Sequence, residues 1–98
     1  KRKVARGTKN MLEQPAMTHE EMHQALGVGI EAANLMIDKG VNLIAAGDMG
    51  IGNTTAATAI ISVMTGASVR ELTGRGTGVD DAGLQRKIDV IEKAIALH

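Results

Sequence analysis

The chain has 98 residues, with 11 Lys and Arg balancing 11 Asp and Glu to a formal net charge of zero. A chain this short is one domain at most and buries only about two-thirds of its unfolded surface, and its neutrality argues against broad attraction to nucleic acid or anionic lipid. Having no Phe, Tyr or Trp it lacks stacking platforms for single strands, and having no Cys it excludes disulfides, cysteine–zinc sites and thiol nucleophiles.

Residues 1–17 mix charge with Gly7, Asn10 and Pro15 and read as an extended lead-in or short broken helix. Lys1-Arg2-Lys3-Val4-Ala5-Arg6-Gly7 has no apolar signal core after it, and no apolar run approaches the ~20 residues that span a bilayer. A soluble, cytoplasmic protein is the expectation, and a first residue other than Met suggests a fragment. Thr18-His19-Glu20-Glu21 has the form of a capping box, which opens a predicted helix over 18–39. On it His19, His23, Leu26, Ile30, Ala33 and Ile37 share one face, and Gly40 ends it. Gly27 and Gly29 each cost roughly 1 kcal/mol relative to Ala inside a helix, which implies a neighbouring element close by.

Residues 41–46, Val-Asn-Leu-Ile-Ala-Ala, are short, apolar and bounded by glycines, and read as a buried parallel strand. The glycine turn 47–53 leads into a predicted helix over 54–65 that is apolar almost all round, hence buried. Residues 67–73 read as a second short strand or an irregular link. A second glycine cluster at 74–78 precedes a helix over 80–97 with the stripe Leu84, Ile88, Ile91 and Ile95. The order points to an α/β fold: a helix–strand–glycine loop–helix portion of a larger parallel-sheet domain.

Gly47-Asp48-Met49-Gly50-Ile51-Gly52-Asn53-Thr54 has the spacing of a phosphate-binding loop, with Asn53 where that motif has lysine. Glycines let successive amides converge, the helix from Thr54 aims its positive end at the same place, and Thr54 and Thr55 add hydroxyls. Without the lysine that reaches a terminal phosphate, a single phosphate group is favoured over a triphosphate with magnesium. The same spacing also fits a tight strand-to-helix turn with no ligand. The dinucleotide fingerprint fits less well, because Thr55 stands where the third small residue belongs. Gly74-Arg75-Gly76-Thr77-Gly78 is a second amide-rich turn; Arg75 either grips an anion bidentately or is a solvated arginine.

His19-Glu20-Glu21-Met22-His23 matches H-E-x-x-H, a zinc pattern on helices. The extended metalloprotease pattern wants glycine and histidine where the chain has Leu26 and Gly29, and Thr18 with Glu21 already accounts for this turn as a cap. No metal site is assigned. Lys87 flanks the apolar stripe as a snorkelling lysine or as a cation beside the glycine loops, Asp80 and Asp81 read as first-turn acids, and the six Met as core filler.

Together the two clusters, extended as Gly47–Ala57 and Gly74–Asp81, resemble the nicotinate-nucleotide–dimethylbenzimidazole phosphoribosyltransferases of cobalamin biosynthesis. Ala5-Arg6-Gly7-Thr8 and Pro15-Ala16-Met17-Thr18 are similar to that family too, so the likeness runs over nearly the whole chain. The resemblance implies a larger α/β enzyme that moves phosphoribose from nicotinate mononucleotide to dimethylbenzimidazole, releasing nicotinate and α-ribazole phosphate. Residues 1–98 would be its nucleotide-binding half, with the N- and C-terminal parts of the family domain absent and the general-base glutamate beyond this chain. By the same resemblance, Met49, Gly50, Ile51, Gly52, Asn53 and Thr54 with Arg75, Gly76, Thr77 and Gly78 would hold the mononucleotide. Asp48, where the family usually has Glu, and Lys87, matching the family's functional lysine, would be the supporting catalytic groups.

No cofactor is implied. The expected partners are the two small-molecule substrates, with no nucleic acid or membrane, and the parent is expected to be a homodimer. The alternatives are a related phosphoribosyltransferase with another azole or phenolic acceptor, or a mononucleotide-binding fragment without chemistry. The isolated chain is expected to be loosely folded or self-associated, and inactive. Gly52→Val is expected to harm nucleotide binding most, by filling the phosphate position.

Overall fold

The computed structural model describes residues 1–98 and contains four helices and no strand: α1 (His19–Asp38), α2 (Thr54–Thr65), α3 (Val69–Leu72) and α4 (Asp81–Leu97). By its internal packing the chain divides into two units, Lys1–Gly47 and Asp48–His98.

In the first unit the lead-in is a succession of turns, tied by Lys9 N–H donating to Ala16 O at 2.8 Å. The expected capping box forms: Thr18 Oγ1 accepts from Glu21 N at 3.1 Å, and Glu21 Oε2 accepts from Thr18 N at 2.8 Å. At the other end Gly40, at φ 77°, allows a Schellman closure, with Gly40 N donating to Ile37 O and Val41 N to Met36 O. α1 buries none of its residues fully; Leu26, Ile30 and Ile37 of the expected stripe are about 60% exposed. A Cβ added at Gly27 or Gly29 would meet nothing within 4 Å, so the close neighbour expected at these glycines is not seen.

The α/β expectation is corrected here. Residues 41–46 have no regular secondary structure, and Leu43 is 86% exposed. A strand exists through its ladder, and this chain has no second strand to supply one. The other candidate, 67–73, contains the one-turn helix α3. Ser68 caps it, accepting from Glu71 N at 3.3 Å while donating to Glu71 Oε2 at 2.7 Å.

The second unit has the small core. Val69, Ile88 and Ile91 are buried together, with Ala59, Leu84 and Ile95 packed against them. The α4 stripe therefore forms as expected and joins α2, α3 and α4. α2 is less covered than its composition implies: Thr58 is its one buried residue, and Ile60, Ile61, Val63 and Met64 remain exposed. Thr58 is satisfied by donating to Thr54 O at 2.8 Å. No helix is long and apolar enough to cross a membrane.

Asp80 caps α4, its Oδ1 accepting from Gly83 N at 2.7 Å. An added Cβ at buried Gly83 would lie 2.9 Å from that oxygen and 3.0 Å from Val79 Cβ. Gly83→Ala is thus expected to destabilise by about 1 kcal/mol, the worth of a cap, despite the better helix propensity of Ala. Thermal unfolding of the full-length protein, read as a lower Tm for the variant, checks this.

Candidate functional site

The second unit holds the glycine cluster at 74–78 and, from Asp48 onward, the first cluster. The first begins with an Asx turn in which Asp48 Oδ1 accepts from Gly50 N at 2.6 Å. Gly50 and Gly52 stand at φ 89° and 69°, the left-handed region that favours glycine, and so reverse the chain into α2. Asn53 enters α2 at φ −93° and ψ −46° and makes no side-chain cap. The amides opening α2 thus have no capping side chain, and the positive end of the helix dipole lies there. Met49 and Ile51 project apolar surface, 82% and 72% exposed.

The second cluster is a turn closed by Gly78 N and Val79 N, both donating to Arg75 O at 3.1 and 3.2 Å. Gly76 at φ 60° and Gly78 at φ 116° again require glycine's freedom. Arg75 Nη1 donates to Val79 O at 2.9 Å, and Nη2 pairs with Asp81.

Lys87 brings the two clusters together. From the flank of α4 its Nζ donates to Thr54 Oγ1 at 2.8 Å and to Gly74 O at 2.9 Å. Its aliphatic stem is half-buried and both acceptors are neutral, so the ammonium is the cation of the site that no carboxylate pairs. The direction of the hydrogen bond has a chemical consequence. An ammonium only donates, so Thr54 Oγ1 must accept from it, and the Thr54 hydroxyl proton is left to donate elsewhere. Gly76 seals the junction: a Cβ there would lie 3.0 Å from Thr54 Oγ1 and 3.6 Å from Lys87 Nζ. The arrangement offers uncapped amides, a donating hydroxyl and one unpaired cation, which suits an oxyanion such as a phosphate monoester.

Among the residues named from sequence, Thr54, Gly76 and Lys87 meet directly. Asp48 turns back on its own loop and occupies the Gly50 amide, and Arg75 is bound within its own turn. Gly52, Met49, Ile51 and Thr77 lie on exposed loop surface. Sequence reasoning gave no role to Gly74, whose carbonyl anchors Lys87; a backbone acceptor leaves no signature in residue type. His19 and His23 belong to no group of three or more metal-ligating side chains.

Known proteins resemble the chain over its whole length. A family model described as phosphoribosyltransferase matches residues 1–98. Over 97 residues the chain is 56% identical to the nicotinate-nucleotide–dimethylbenzimidazole phosphoribosyltransferase of Chloroflexus aggregans and 53% identical to that of Geobacter metallireducens, covering 99% of this chain and 28% of each relative. Its structure matches the crystal structure of CobT from Thermus thermophilus with a TM-score of 0.92 and 50% identity, over 100% of this chain and 29% of that one. The chain thus spans little more than a quarter of the length of these relatives.

Proposed function

Since the chain belongs to the phosphoribosyltransferase family, we propose that it is the mononucleotide-holding part of an enzyme transferring phosphoribose from nicotinate mononucleotide to dimethylbenzimidazole, in cytoplasmic synthesis of the cobalamin lower ligand. The observation that carries this reading is the Lys87 ammonium bridging Thr54 and Gly74, which joins both glycine turns into one anion-holding surface.

The chemistry follows from the substrate. Nicotinate mononucleotide carries a positively charged pyridinium, so the breaking bond from C1′ to the ring nitrogen gives its electron pair to nicotinate. The azole nitrogen forms the new bond to C1′, and its N–H proton passes to a carboxylate base that we place outside this chain. This chain's contribution is positioning. The α2 amides from Asn53 and Thr54 and the Thr54 hydroxyl hold the phosphate, with Gly52 giving it close approach. Gly76, Thr77 and Gly78 face the other side of the nucleotide. Met49 and Ile51 supply apolar surface beside the loop, and Asp48 fixes the loop through Gly50. We take the whole domain to be the functional unit, with residues 1–98 as its nucleotide-binding portion and the parent a homodimer.

The test is the full-length protein given both substrates without magnesium, with nicotinate and α-ribazole phosphate measured. Product formation is expected, together with calorimetric preference for nicotinate mononucleotide over ATP. Magnesium-dependent preference for ATP would overturn the reading. The isolated 98 residues are expected to give no product and to elute as an associated species, because the apolar side chains of α1 and α2 stand exposed. Turnover by a monomeric 98-residue preparation would show that the base lies within this chain, with Asp48 the first carboxylate to suspect.

A further inference from the structure

We propose that Arg75 is a positioning residue that braces the second glycine turn through Asp81, and that it is not a ligand of the substrate phosphate; the proposal rests on the mononucleotide reading above. Three of the five residues 74–78 are glycine, and two of them occupy left-handed conformations. Such a segment loses much backbone freedom when it orders, and its amides face a ligand in a fixed direction only if something holds them. Arg75 is closed on the turn at both ends. Its carbonyl accepts from Gly78 N and Val79 N, and its guanidinium reaches forward to Val79 O and the Asp81 carboxylate. Asp81 is the first residue of α4, the helix whose Ile88 and Ile91 are buried in the core, so the brace ties the turn to the most firmly packed element of the unit.

The two cations beside the glycine turns are therefore in different states. Both terminal nitrogens of Arg75 are committed, and Asp81 neutralises its charge. A bidentate grip on an anion through the two terminal nitrogens would have to compete with Val79 O and the Asp81 carboxylate. Lys87 donates only to a hydroxyl and a carbonyl, and keeps its charge for a ligand. The Arg75–Asp81 pair is substantially exposed, with side-chain exposures of 52% and 92%, so its contribution is modest.

The test compares Arg75→Gln, Asp81→Asn, the double variant and the charge swap Arg75→Asp with Asp81→Arg in the full-length protein. Two readouts are taken: amide hydrogen exchange over residues 76–79 without substrate, and KM and kcat for nicotinate mononucleotide. Each single change is expected to speed exchange about two- to fivefold, the range of an exposed ion pair. KM should rise by a similar factor and more than kcat falls. The double variant should be no worse than either single change, because both remove the same link, and the charge swap should recover part of the loss. The proposal is overturned if Asp81→Asn leaves exchange unchanged. It is equally overturned if Asp81→Asn lowers KM while Arg75→Gln raises it about tenfold or more, as loss of a direct charged contact would. If the unaltered protein does not turn over nicotinate mononucleotide, the functional reading fails, and the exchange comparison still decides the brace.

Discussion

Gly76→Val in the full-length protein is expected to abolish measurable use of nicotinate mononucleotide, with KM raised about 100-fold or turnover lost. Two effects combine. Gly76 stands at φ 60°, where a β-branched residue is strained by about 1–3 kcal/mol. Its first side-chain atom would also arrive 3.0 Å from Thr54 Oγ1 and 3.6 Å from Lys87 Nζ. The Thr54 hydroxyl must then give by a few tenths of an ångström, which disturbs its bond to Lys87 at the junction of the two turns. Steady-state kinetics with a parallel Tm measurement separate this from simple unfolding, since the turn lies outside the buried core and Tm should fall by only a few degrees. Gly52 is the useful contrast. It too has a positive φ, 69°, but an added Cβ meets no protein atom within 4 Å. Substitution at Gly76 acts on the protein's own junction, whereas substitution at Gly52 acts on the phosphate that this glycine is proposed to admit. A larger loss from Gly52→Val would show that the phosphate itself fills the space over Gly52.

Lys87→Met should reduce kcat/KM about 100-fold. Methionine keeps an unbranched apolar stem that ends one atom short of the ammonium, and Thr54 Oγ1 and Gly74 O lose their donor. Hydrogen bonds to a charged group are worth roughly 1.5–3 kcal/mol each, and about 2.7 kcal/mol of lost transition-state stabilisation corresponds to that factor. Lys87→Arg should recover little of it, because a bulkier planar fork on a shorter methylene stem cannot place one donor between two acceptors that fit an ammonium. Full activity in Lys87→Met would mean that the turns are held together by other means.

The helices were legible because their ends carry local chemistry. Thr18 with Glu21, Gly40, Gly66 and Asp80 each mark a boundary through a hydrogen bond or a backbone conformation confined to neighbouring residues. Ser68 and Glu71 carry the same signature as Thr18 and Glu21, but only a single turn follows it, too short for a helical stripe to show. The strand at 41–46 was misread because strands depend on distant partners. Its apolar run describes a segment suited to pairing, but composition does not reveal whether a ladder forms. α2 was read as buried for a similar reason: apolar residues all round describe a demand for cover, which α3 and α4 meet only in part. At the site, each glycine turn was visible separately. Their meeting was one of two readings of Lys87, and spacing did not decide between them, since Thr54 and Lys87 are 33 positions apart and join through one side chain.

Lys87 immediately precedes Ile88, which is 3% exposed in the core. The gap between the two glycine turns is therefore metered by a ruler, one lysine side chain standing on an anchored helix, together with the packing of α2 and α3 against that helix. Residues 66–73 could lengthen or shorten by one position without changing that gap, provided Val69 still reached the core. A one-residue insertion in α4 ahead of Lys87 would be a different matter. It would leave Lys87 in phase with Ile88 and turn the residues ahead of it, with the second glycine turn, about 100° around the helix axis.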